Sequence, residues 1–113
     1  MLRRFVIAAA LLAATSVSAF AQGCDTRFTL LNTSDVAVHE FYFGPSSQSN
    51  WGNDRLGDGE LPPGRQVSFA PGGRGGNYDF RVVWANGERA DLMQVNICAT
   101  SLIVATQQGL EAH

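Results

Sequence analysis

The stretch Trp51-Gly52-Asn53-Asp54-Arg55-Leu56-Gly57-Asp58-Gly59-Glu60-Leu61-Pro62-Pro63-Gly64 concentrates the groups best suited to chemistry. Its carboxylates suggest divalent-cation binding or acid–base work. A calcium loop of the EF-hand kind needs acids at its first, third and fifth positions and a distal glutamate. Counted from Asp54, the third position is Leu56 and the last is Arg65, so that pattern fails. Asp54, Asp58 and Glu60 remain candidates for a looser cage. Carboxylates in a glycine-rich turn, however, lack the burial that raises a pKa for general acid catalysis. An architectural reading covers more of the residues. Trp51 and Leu56 cap the end of a domain, the glycines permit tight turns, and Leu61 re-enters the core ahead of the Pro62-Pro63-Gly64 turn. Trp51, Asp54, Asp58 and Glu60 are therefore kept as a candidate binding loop, with no metal or cofactor assigned.

Other catalytic signatures are weak. There is no Gly-x-Ser-x-Gly elbow. His39 stands beside Glu40 in an expected strand, where neighbours point to opposite faces, and His113 is the last residue. A nucleophile–base–orienter set is hard to assemble from them, and no catalytic residue is assigned. Gly72-Gly73-Arg74-Gly75-Gly76 resembles a phosphate cradle only superficially. It lacks the Gly-Lys-Ser/Thr ending and a following helix, and reads as a flexible connection.

The amino end sets the compartment. Arg3 and Arg4 precede the apolar run Phe5 to Ala14, and small residues lead to Ala19-Phe20-Ala21. This is the pattern of a secretory signal peptide, residues 1–21, and the apolar run is shorter than the roughly 20 residues a bilayer span needs. The mature domain is expected to run from Gln22 to His113, in the periplasm or secreted, without stable membrane insertion. Arg3-Arg4-Phe5-Val6-Ile7 also fits part of a twin-arginine signal, which leaves the export route open.

Both cysteines, Cys24 and Cys98, are retained after cleavage. An even pair in an oxidising compartment predicts a disulfide. Closing a loop of roughly 75 residues would contribute about 4 kcal/mol in the chain-entropy model. Two free thiols are the alternative. The whole chain carries a net charge of −2, has no lysine, and loses two arginines with the leader. The six remaining arginines are scattered, so neither nucleic-acid binding nor a polybasic membrane patch is expected.

The elements that must position the loop are strands. Thr26–Leu31 and Val36–Phe43 flank a turn-rich Asn32–Asp35 and read as a first hairpin. In the second of these, Val36, Val38 and Phe41 or Phe43 compete for one face. Arg65–Ala70 places Val67 and Phe69 on one side. In Tyr78–Trp84 every second residue is apolar (Tyr78, Phe80, Val82, Trp84), the period of a half-buried strand. Asn86-Gly87 suits a two-residue turn. That turn places Glu88–Ile97 with Trp84 opposite Arg89, Val82 opposite Asp91, Phe80 opposite Met93 and Tyr78 opposite Val95. Arg89 stacked on Trp84 is one consequence; a Trp84 buried in the core is the other. Leu102–Ala105 reads as a last strand. The fold class is all-β: a single small antiparallel β-sandwich of six or seven strands, with a small β-barrel as the alternative.

The motifs Asn32-x-Ser34, Trp51-Gly52-x-Asp54-x-Leu56-Gly57, Leu61-Pro62-Pro63-Gly64, Tyr78-Asp79-x-Arg81-Val82, Asn86-Gly87 and Cys98 together resemble a group of small exported bacterial proteins of no established function. Members are sometimes labelled argininosuccinate lyase, an activity a domain this small without a helical bundle does not support. The family pattern often has a cysteine just before Tyr-Asp; here Asn77 occupies it, which makes Cys24 the substitute partner of Cys98. The expected function is an exported noncatalytic binding or interaction module for a protein or small-molecule ligand. The alternatives are a metal-dependent or enzymatic activity on the acidic loop 51–60, or an envelope structural protein.

Overall fold

The alternation in Tyr78–Trp84 becomes the central strand of one of two facing sheets. Residues 23–113 are described by the structure, a computed structural model; the expected leader and its cleavage site lie outside them. The strands are β1 (Phe28–Asn32), β2 (Val38–Pro45), β3 (Gln66–Phe69), β4 (Asn77–Trp84), β5 (Arg89–Asn96), β6 (Leu102–Thr106) and β7 (Gly109–Ala112). A short 3₁₀ turn, Ile97–Ala99, separates β5 from β6. One sheet has the order β3-β1-β6-β7 and the other β2-β4-β5. Their inner faces pack as a sandwich, and no barrel closes. All pairings are antiparallel except β1 with β6, which is parallel.

Aromatic rings fill the interior. Phe28 of β1 lies with its ring centre 5.0 Å from Phe43, 5.4 Å from Phe80 and 5.5 Å from Phe69; the first two meet edge to face. Edge-to-face contact suits the ring quadrupole, and each fully buried ring of this size contributes about 1.5–3 kcal/mol. Leu30, Val38, Phe41, Val82, Ile97 and Ile103 are among the fully buried residues packed with them.

The expected first hairpin is not formed. β1 and β2 belong to opposite sheets, and Asn32–Ala37 arches between them. The reason is the Asn32 side chain, which is fully buried and holds Val36 O and Leu61 O where a hairpin would place strand partners. β1 instead pairs on both sides, with β3 and β6. The competition within β2 resolves through a β-bulge between Val38 and Glu40, which lets Val38, Phe41 and Phe43 all point inward.

The β4–β5 turn also differs from expectation. Gly87 N–H donates to Trp84 O and Trp84 N–H to Glu88 O, so Ala85-Asn86-Gly87 forms a three-residue loop with Gly87 at φ +89°. The extra loop residue slips the register by one: Val83 faces Arg89, Val82 faces Ala90, Arg81 faces Asp91 and Phe80 faces Leu92. A bulge at Gln94 (φ +56°), whose N–H donates to Asp79 Oδ1 at 2.8 Å, restores the expected pair Tyr78–Val95. Trp84 is a core residue whose indole N–H donates to Ser34 Oγ, and among the described residues no arginine stacks on it. β7 was not expected as a separate strand. Gly109–Ala112 carries little apolar pattern of its own and becomes a strand by pairing with β6.

Candidate functional site

The candidate loop begins as an edge problem. β2 is an outer strand of its sheet, and an open edge invites pairing with another chain. Residues 54–61 cover it. Val38 and Leu61 exchange both backbone hydrogen bonds at 2.9 Å, and Arg55 N–H donates to Phe41 O at 2.7 Å. Asp54 Oδ1 accepts the N–H of Phe41 at 3.0 Å and that of Leu56 at 2.9 Å. The Arg55 guanidinium donates to Phe43 O at 3.1 Å and lies 4.3 Å from the Phe43 ring centre. Asp54 and Arg55 thus stand in for a neighbouring strand.

The three loop carboxylates therefore part company. Asp54 is held by backbone donors, Asp58 is exposed, and Glu60 meets His39 Nδ1 at 2.8 Å on the surface. Among the described residues, no three His, Cys, Asp or Glu side chains are grouped so as to hold a metal ion. His39 sits on the β2 bulge, exposed, with Glu60 as its partner among the described residues. We expect Asp54→Ala to lower stability by about 2 kcal/mol, because the buried Phe41 N–H loses its acceptor. Asp58→Ala should stay within about 0.5 kcal/mol. Urea denaturation of both variants checks the contrast.

Trp51 is carried elsewhere, onto the outer face of β2-β4-β5. Its ring lies 4.5 Å from the Arg81 guanidinium. Arg81 is in turn fixed by a two-point pair with Asp91 across the strands, Nε to Oδ1 at 2.7 Å and Nη2 to Oδ2 at 2.8 Å. Hydrogen bonding to Arg81 holds the Asp91 carboxyl below its ordinary pKa, against the opposing effect of burial. On the same face Tyr42 donates to Glu40, and this bond to a carboxylate, with lesser help from burial, pushes the phenol up to about 12. Two side-chain pairs, Arg81–Asp91 and Tyr42–Glu40, thus brace this face, and the first lies against the indole.

Beside Trp51 lies a cleft of about 160 Å³ bordered by Pro45, Gln48, Asn50, Asp79 and Met93. Met93 is 54% exposed, the one large hydrophobic residue so exposed among the described residues. Asp79 Oδ1 accepts Ser46 Oγ at 2.6 Å and Gln94 N–H at 2.8 Å. The bulge that restores the strand register therefore also anchors the cleft's carboxylate. Of the expected binding residues, only Trp51 reaches this cleft. Asp79, Arg81 and Met93 were not singled out as site residues. Their visible signal was outward alternation in β4, and for Met93 the bulge hid even that.

Opposite ends of the chain meet at the expected disulfide. Cys24 and Cys98 are bridged with Cα atoms 5.6 Å apart. Gly75, φ +93°, lies against both sulfurs, so the glycine-rich connection also makes room for the bridge. No helix among the described residues is long and apolar enough to cross a membrane. Compared with models of known families, with curated proteins and with solved structures, the chain finds no match.

Proposed function

We propose that this chain is an exported, noncatalytic binding module that presents the cleft beside Trp51 and Met93 to a ligand in the periplasm or outside the cell. The observation that carries the reading is an exposed thioether and an indole standing together on a braced sheet face. A rigid platform that sets placed polar groups beside an apolar wall is how ligand sites are commonly built. Export is supported by the leader-like amino end and is compatible with the disulfide. The resemblance to small exported bacterial proteins points the same way. The noncatalytic assignment is supported by the disposition of the reactive groups: Asp54 serves the backbone, and His39 pairs with Glu60 at the surface.

The test is an NMR spectrum of the labelled mature domain in envelope extract of the producing cells. The expected result is selective shift or broadening at Trp51 and Met93, lost in a Trp51→Ala/Met93→Ser variant. Perturbation confined to other surfaces, or no perturbation, rejects the reading.

A further inference from the structure

The cleft's chemistry narrows its ligand. We propose that it takes a single cationic group on an apolar stem: an alkylammonium, as found in a free diamine or a lysine side chain. This rests on the cleft being the binding site.

Among the described residues Asp79 is the one charged residue bordering the cleft. Its Oδ1 is saturated by Ser46 and Gln94, which fixes the carboxylate's direction. Among the described residues Oδ2 accepts no hydrogen bond, and it is not a buried unsatisfied atom, so it remains open to solvent. Among the described residues no arginine pairs with Asp79. Arg81, two residues along β4, gives its donors to Asp91, and Arg89 lies opposite Val83 toward the turn end. A positive group meeting Oδ2 would gain a charge-assisted hydrogen bond at a carboxylate already held in place.

The remaining walls suit the stem of such a ligand. The Trp51 indole, already stacked against Arg81, supplies apolar wall, and Met93 a polarisable thioether that adapts to methylene groups. Gln48 and Asn50 add amide oxygens that accept from an ammonium. At about 160 Å³ the cleft is close in size to a cavity that takes one benzene ring, about six non-hydrogen atoms. That matches the end of an alkylammonium chain and is too small to enclose a sugar ring.

The experiment is an NMR titration of the disulfide-bonded mature domain with 1,5-diaminopentane and, separately, with Nα-acetyl-lysine amide. Pentanol and sodium chloride of matched ionic strength serve as controls. The indole N–H of Trp51 and the methyl of Met93 should shift saturably, while the Trp84 indole, bonded to Ser34, stays fixed. Asp79→Asn keeps the Oδ1 acceptor and should weaken binding at least about tenfold, the value of one charge-assisted bond. Asp58→Asn should bind normally. Tighter binding of the diamine than of the lysine amide identifies a free polyamine; the reverse identifies a protein side chain. Equal binding of pentanol, unchanged affinity in Asp79→Asn, or no saturable shift beyond the salt control overturns the proposal. If envelope extract perturbs Trp51 equally in the wild type and Asp79→Asn, the cationic ligand is rejected while the binding-module reading stands.

Discussion

Gly75→Ala should lower the stability of the mature domain by about 5 kcal/mol and leave much of it without its disulfide. A Cβ at this position would lie 2.3 Å from Cys98 Sγ and 2.8 Å from Cys24 Sγ, far inside contact distance. The sulfurs are joined, so neither can swing away alone. Either the 71–77 connection shifts or the bridge fails to close. Loss of a bridge spanning 74 residues removes about 4 kcal/mol in the chain-entropy model. The backbone at φ +93° adds about 1 kcal/mol of strain for any L side chain. For a domain of this size, 1 kcal/mol is about 4–8 °C in Tm, so the expected fall is about 20 °C or more. Gly76→Ala separates the two effects. Its φ is +102°, but an added Cβ meets nothing within 4 Å, so only the strain should appear. A second control is the Cys24→Ser/Cys98→Ser background. If the sulfurs are the obstacle, the Gly75→Ala penalty should shrink there to that of Gly76→Ala. An equal penalty in both backgrounds would show that the glycine serves the backbone alone.

What sequence could reveal of this fold depended on how local each determinant is. Tyr78–Trp84 alternates cleanly because both its neighbours are strands and one face is core, so the strand and its inward residues are visible at once. β2 hides its pattern behind a bulge: Val38 and Phe41 have opposite parity yet both point inward. The Asn32–Asp35 segment has the composition of a hairpin turn. Its destination in the other sheet depends on bonds from Asn32 to Leu61, which lies 29 residues away. The same distance effect divides the candidate loop. Asp54, Asp58 and Glu60 are neighbours in sequence, yet Asp54 serves the edge of β2 and Glu60 answers His39. Trp51 finds its partners 28 to 42 residues onward, in Asp79, Arg81 and Met93. The cysteines were legible from number and compartment alone. The need for Gly75 between them was not, because no local pattern marks a close approach to a distant sulfur.

Asn32→Asp should be the most damaging change that alters almost no volume. The Asn32 side chain is fully buried and uses its whole hydrogen-bonding capacity. Its amide nitrogen donates to Val36 O at 2.9 Å and Leu61 O at 3.0 Å. Its Oδ1 accepts Ser34 N–H at 3.0 Å and the Ser34 hydroxyl at 2.7 Å, while Ser34 Oγ accepts the Trp84 indole N–H. These bonds tie the arch between the sheets to the Leu61 end of the edge-covering loop and to the core tryptophan. An ionised aspartate keeps the Ser34 donors but turns its second oxygen on two carbonyls. It also places an unpaired charge out of contact with water, so the cost at pH 7 is about 3–5 kcal/mol. The same geometry raises the pKa of the new carboxyl in the folded state above its unfolded value of about 3.9. The stability held by the protonated form is therefore fully present below that value and is lost as pH rises through the folded pKa. The Tm gap between variant and wild type should narrow as the pH falls from 7 toward 4. It should not close, because a protonated carboxyl carries one hydrogen for two carbonyl acceptors. Asn53→Asp, at an exposed loop position, should show no such pH-dependent gap. A gap for Asn32→Asp that stays constant across this range would mean that water reaches the arch and relieves the charge, and the buried network would not be what sends β2 into the second sheet.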